Sequence, residues 1–226
     1  LQWEPYIGPE LVDNGYAYQL AKAAFAASGY QLDVGFYPWA RALRLASTAS
    51  TVSGLFPEYY SASRETDFVF SDPFPGGPIG LFKRVADDTE FSVDPTTDAK
   101  AALEALSDKR FGVVRGYINT PEIDSADYLK KEAAGSDELN LKKLRHRRID
   151  VAVIDPYVAQ HLLDTRLPEY KGSLEMMQPP LEFKSLHIAF SRRDPNHQAY
   201  AAAFNAGLKE LRASGQLEAM LRQYGF

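Results

Sequence analysis

Between Gly15 and Gly29 the residues Tyr18, Leu20, Ala21, Ala24 and Phe25 fall on one helical face, and Ser28-Gly29 ends the run, so a helix is expected here. The next stretch, Tyr30-Gln31-Leu32-Asp33-Val34-Gly35-Phe36, alternates at the period of a strand. Pro38-Trp39 then opens a second helix running from Ala40 to about Ala46. Strand and helix alternating in this way predict an α/β chain.

The pattern continues. Phe68 to Phe74 reads as a short buried strand broken by Pro73, followed by a Pro75-Gly76-Gly77-Pro78 loop and an extended Ile79-Gly80-Leu81-Phe82. Asp98 to Leu106 has helical character, and Phe111-Gly112-Val113-Val114 is a strand delivered into Gly116 and a helix start at Thr120-Pro121-Glu122. A second such unit follows: Leu141 to Arg148 helical, Ile149 to Ile154 a buried strand, and Asp155-Pro156 opening a helix through Leu163. Two units in succession predict a small, largely parallel sheet. Leu186 to Phe190 adds a strand, and Pro195 to Tyr224 forms two amphipathic helices separated at Ser214-Gly215. A chain that crosses between lobes near Phe82 to Asp88 and again near Ser185 to Phe190 has residues 1–84 and 188–226 in a discontinuous first lobe and 85–187 in a second. Two crossovers make a hinge of the kind that closes on ligands.

Composition narrows the function. The 226 residues carry a net charge of -5, which repels nucleic acid and anionic membranes. There are no cysteines, so disulfides, thiolate nucleophiles and Cys-held metals are excluded. The four histidines, His146, His161, His187 and His197, lack metal-ligand spacing, and the basic run from Lys142 to Arg148 reads as a solvated helix end. No Gly-x-Ser-x-Gly elbow, phosphate loop or dinucleotide fingerprint occurs, so no catalytic motif and no cofactor is implied. No apolar run reaches the length needed to span a bilayer. The opening Leu1-Gln2-Trp3-Glu4-Pro5 has neither an initiating Met nor a basic-then-apolar leader, as expected of a terminus from which a signal peptide has been removed.

Five segments in order carry a family resemblance: Trp3-Glu4-Pro5-Tyr6 with Asn14-Gly15-Tyr16; Arg64 leading into Phe70-Ser71-Asp72-Pro73-Phe74; Lys109 to Gly116; Arg148-Ile149-Asp150 through Asp155; and Leu211 to Gly215 ahead of Leu221 to Gly225. Over nearly its whole length the chain resembles the type II periplasmic solute-binding proteins, in the amino-acid-binding branch (family 3) that serves ABC transporters. The resemblance implies a two-lobed α/β fold with two hinge crossovers, and a periplasmic monomer that captures a small amino-acid-like ligand for a membrane permease. It assigns Arg64 to the ligand carboxylate, a role that suits a planar guanidinium charged at any working pH. A surface pairing of Arg64 with Glu65 or Asp67 is the competing reading. Asp155 is assigned to the ligand ammonium, although an Asp before Pro156 is also a good helix cap. Backbone donors are implied at Ile118 and Asn119 after Gly116, and flat walls at Trp3, Trp39 and Tyr59.

The chain departs from the family pattern twice. Tyr117-Ile118-Asn119 replaces the usual small hydroxyl residues, and 47–60 is a bulky loop without a Gly-x-x-Asp turn, with a solvated Glu58. The implied ligand is therefore amino-acid-like rather than a standard amino acid. The same fold also hosts a receptor's sensory domain, and cyclohexadienyl-dehydratase-like chemistry with Glu58 or Asp155 as general acid.

Overall fold

In chain order the computed structural model, which describes residues 1–226, contains α1 (Tyr16–Ala27), α2 (Trp39–Thr48), β1 (Gly54–Glu58), β2 (Phe68–Phe70), β3 (Phe74–Arg84), α3 (Ala99–Glu104), β4 (Arg110–Val114), α4 (Pro121–Ser125), β5 (Lys130–Ala134) and α5 (Asp137–Arg145). It continues with β6 (Val151–Ile154), α6 (Pro156–Thr165), β7 (Leu174–Met176), β8 (Glu182–Ser191), α7 (His197–Ala213) and α8 (Gln216–Tyr224). The chain divides into two units, Leu1–Pro75 with Ser185–Phe226, and Gly76–Lys184. It crosses from one to the other inside β3 and again inside β8. The first crossing thus precedes the polar linker after Arg84, because β3 runs unbroken from Phe74 and gives its Gly80–Arg84 end to pairing within the second unit.

In the first unit, β8 is the middle strand. It pairs antiparallel with β1, Leu55 opposite Ala189, and with β2, Val69 opposite Phe190. Leu186, Ile188, Ala189 and Phe190 are all buried. Helix α1 buries Leu20, Ala21, Ala24 and Phe25, much of its expected apolar face, against α7. The two backbones touch at Gly207, where an added Cβ would overlap the Ala24 carbonyl. Tyr6 stacks on Phe226 with ring centroids 5.1 Å apart, and Phe226 also lies against Tyr16 at 5.0 Å.

The second unit has a mixed sheet. Strand β4 lies parallel to both β5 and β6, and β3 pairs antiparallel with β6 and β7. Asp150, just ahead of β6, holds the Arg110 guanidinium through Nε and Nη2, both at 2.9 Å. These hydrogen bonds draw its pKa down to about 2. Buried Arg84 donates to the carbonyls of Leu144 and Ile149 at 2.6 and 2.7 Å, so Asp150 and Arg84 act together as an internal clamp between strand and helix.

Several sequence expectations need correction. Residues 30–36 form no strand and belong to no ladder. The 54–60 segment is not a loop: it contains β1, and Pro57 is tolerated because β1 is the edge strand. Pro75 to Pro78 lies within β3, since a proline's fixed φ is compatible with extended chain. Strands β5 and β7 were not expected, because their charged residues conceal the period: Lys130-Lys131-Glu132 in β5 is a charged edge, which resists pairing with other chains.

Gly207→Ala should lower stability by about 1–3 kcal/mol by forcing α1 and α7 apart. Urea unfolding measures this, and an unchanged midpoint would show that the helices do not meet there.

Candidate functional site

The first unit brings together four of the expected ligand-binding residues and adds a fifth. Trp3 sits in a tight turn, its N–H donating to the Ile7 carbonyl at 2.8 Å and its own carbonyl accepting from Ile7 N–H at 3.1 Å. That turn aims the indole at Tyr6, stacked at 4.8 Å, and at the edge of Tyr59 at 5.6 Å. Trp39 is the first residue of α2, after Pro38, and is buried. The Arg64 guanidinium lies 5.2 Å from the Trp39 ring centroid, a cation–π arrangement.

An acid beside Arg64 is Glu58, with Oε1 3.5 Å from Nε. Glu65 accepts from the Tyr60 hydroxyl at 2.9 Å. The expectation of a solvated Glu58 is overturned: it is 3% exposed at the end of β1, and its Oε2 has no hydrogen-bond partner. Burial pushes its pKa up to about 8, with the Arg64 charge and the Leu1 amino group opposing the shift. At 3.5 Å the ion pair is too long to offset the loss of water, so burial dominates. Tyr59, next along the chain, joins the Trp3 contact to the Glu58–Arg64 pair. Sequence reading missed the burial of Glu58 because Pro57 and the aromatic run around it conceal the strand that buries it.

The remaining three expected residues lie in the second unit. Asp155 and the Gly116 turn follow β6 and β4, parallel neighbours, and so share the carboxyl end of that sheet, where α/β folds place ligands. Asp155 is buried and caps α6, Oδ1 accepting from Tyr157 N–H at 2.7 Å and Val158 N–H at 3.2 Å. Gly116 has φ of 78°, a left-handed conformation that favours glycine. Ile118 is half-buried. Asn119 gives its backbone N–H to Asp124 Oδ2 at 3.0 Å and its amide to Oδ1 at 2.8 Å. Its carbonyl accepts from Lys184 at 3.1 Å. These bonds use the Asn119 donor that the resemblance offered to a ligand. The Tyr117 hydroxyl donates to buried Asp137 at 3.0 Å, so the departure from small residues here ties the turn to α5.

No family model matches the chain, and no curated protein matches it. Solved structures do. A mutant of ArgBP from T. maritima aligns over 98% of this chain and 90% of its own with a TM-score of 0.75 and 18% identity. The GluR0 ligand-binding core from Nostoc punctiforme, in complex with L-glutamate, aligns over 99% and 95% with a TM-score of 0.75 and 18% identity. A histidine kinase sensor domain with similarity to periplasmic binding proteins aligns over 98% and 91% with a TM-score of 0.79 and 19% identity. This is the two-lobed periplasmic-binding-protein fold. The α/β class and the two-lobed periplasmic-binding-protein fold match the sequence reading. No helix of this periplasmic-binding-protein fold is long and apolar enough to cross a membrane.

Glu58 gives the fold a pH signature. A carboxyl whose pKa rises on folding contributes stability that is complete below its ordinary value of 4.5 and lost as pH rises through about 8. The thermal midpoint of the protein relative to Glu58→Gln should therefore fall between about pH 5 and about pH 8.5. Scanning calorimetry reads it, and a constant difference between the two proteins would show that Glu58 is ionised throughout.

Proposed function

We propose that this chain is an extracytoplasmic solute-binding protein for a small amino-acid-like ligand, with Arg64 as the receptor of the ligand carboxylate. The observation that carries this reading is the Arg64 guanidinium itself, 11% exposed, held over Trp39 and braced by Glu58. Little water reaches such a cation, so a carboxylate meets it in a medium where charge-assisted hydrogen bonds are strong. Trp3, Trp39 and Tyr59 supply flat walls for the ligand's aliphatic part and for its ammonium. Asp155 in the second unit receives the ammonium, its Oδ1 fixed by the two cap bonds that orient the carboxylate. Ile118 and Asn119 complete the turn beside it, with Asn119 acting through its bond to Asp124.

Delivery to the membrane permease of an ABC transporter, by a periplasmic monomer, is the role this reading favours. The similar structures include a substrate-binding protein of an amino acid ABC transporter and a kinase sensor domain, so the fold serves both uptake and sensing.

A second reading draws on Glu58, a buried carboxyl protonated at neutral pH and so equipped as a general acid. Incubation with prephenate or arogenate separates the two: binding without turnover supports the solute-binding reading, and product formation replaces it.

A thermal-shift screen against amino acids, amines, opines and small organic acids should give a hit that carries a carboxylate. Arg64→Ala should cost that ligand about 2–5 kcal/mol of affinity, and Arg64→Lys should fail to restore it because an ammonium cannot bind bidentately. Calorimetric titration measures both, and undiminished binding by Arg64→Ala would end the assignment. Asp155→Ala should abolish binding while costing about 1 kcal/mol of stability from the lost cap. Lower stability with unchanged affinity would leave Asp155 as a cap alone.

A further inference from the structure

The turn that follows β4 is saturated from within its own unit. Asn119 is buried, and a single carboxylate takes both its donors side by side: its backbone N–H reaches Asp124 Oδ2 at 3.0 Å and its amide reaches Oδ1 at 2.8 Å. The Asn119 carbonyl accepts from Lys184 Nζ at 3.1 Å, and that ammonium lies 3.8 Å from Glu182 Oε1. On the other side of Ile118, the Tyr117 hydroxyl donates to buried Asp137 at 3.0 Å. Carboxylates of this chain thus meet the turn at both of its ends.

Asp124 is held where it can do this. Pro121 opens α4 and Thr120 Oγ1 accepts from Ile123 N–H at 3.2 Å, while Lys131 Nζ donates to the carbonyls of Ile123 and Asp124 at 2.9 and 3.2 Å. The short helix is therefore fastened at both ends, and it turns the Asp124 carboxylate back onto Asn119. Asp124 is exposed although Asn119 is not, so its side chain stands between the two donors and water. Two N–H groups directed at the two oxygens of one carboxylate make a receptor for carboxylates in general. Here the occupant is built in. A carboxylate from solution takes these donors only by displacing Asp124 and remaining beside it, where like charges repel.

We propose that Asp124 is a specificity-determining residue: its carboxylate fills the receptor at Asn119 and bars the turn to carboxylates from solution. The consequence for the ligand rests on the solute-binding reading: the ligand carries one carboxylate, the one that Arg64 receives, and dicarboxylates are rejected. Asp155, which follows the neighbouring strand β6, adds its own negative charge to that rejection.

The test titrates isotopically labelled protein with sodium succinate at fixed ionic strength and follows the backbone and side-chain amide signals of Asn119 by NMR. It compares the protein itself with Asp124→Ala and with Asp127→Asn, which removes an equal charge from an exposed position in the same segment. All three are also titrated with Arg64→Ala added, so that succinate bound at Arg64 contributes nothing. Both Asn119 signals should move saturably in Asp124→Ala, with succinate bound at least about tenfold more tightly there than in the protein itself, the worth of one charge-assisted hydrogen bond. They should stay in place in the other two. Still signals in Asp124→Ala overturn the proposal, as does an equal response in the protein itself or in Asp127→Asn. If Asp124→Ala has no cooperative melting transition, Asp124→Asn, which keeps one oxygen for the turn, replaces it under the same criteria. The titrations without Arg64 also keep the two readings apart: unweakened ligand binding by Arg64→Ala would strike the proposed function and leave the occupied turn standing.

Discussion

The backbone of β8 holds the first unit together, because β1 and β2 are both hydrogen-bonded to it, one on each edge. The segment that carries Arg64 runs from the end of β1 to the start of β2, so both its ends are fixed on one buried strand. Further bonds tighten it. Ser71 N–H donates to the Ile188 carbonyl and Ser71 Oγ accepts from Ile188 N–H, each at 2.9 Å. Past β8, Arg192 donates through N–H to the Asp67 carbonyl and through Nε to that of Glu65. A guanidinium has many rotamers to lose on binding; the anchored backbone fixes where the side chain starts, and the contacts with Trp39 and Glu58 restrict its rotamers beforehand.

The second unit relies on a different device. Its parallel strands β4 and β6 deliver their following turns to the same edge, and helix caps fix those turns: Thr120 Oγ1 accepts from Ile123 N–H at 3.2 Å, and Asp155 caps α6. The Arg84–Asp150–Arg110 clamp lies at the opposite, amino end of the same strands, where charge serves stability. Binding candidates and structural ion pairs are thus separated along the strands that hold them.

Much of this was legible in the sequence. Helices α1, α6 and α7 and strands β4, β6 and β8 stand out because their apolar positions repeat at a clear period, and the Asp-Pro start of α6 is a local signal. Asp155 could be read as a cap because capping depends on adjacent residues alone. Glu58 could not be read: its burial depends on packing among residues distant in the chain, and Pro57 disguises its strand. Asn119 was legible as a turn residue, but its attachment to Asp124 was not, since that bond forms only when α4 folds back on the turn. Residues 30–36 show the converse. Their alternation is clear, yet a ladder needs a partner, and the period of one segment says nothing of its neighbour.

Burial raises the Glu58 pKa to about 8 and so favours the neutral form of this carboxyl. In its neutral form this carboxyl, 3.5 Å from Arg64 Nε, fills space and restrains the guanidinium while subtracting little from its charge. It behaves as a neutral brace, and it becomes a competing anion only in alkaline solution. An arginine held in this way keeps its position and its electrostatic pull together, which a fully ionised partner would not allow.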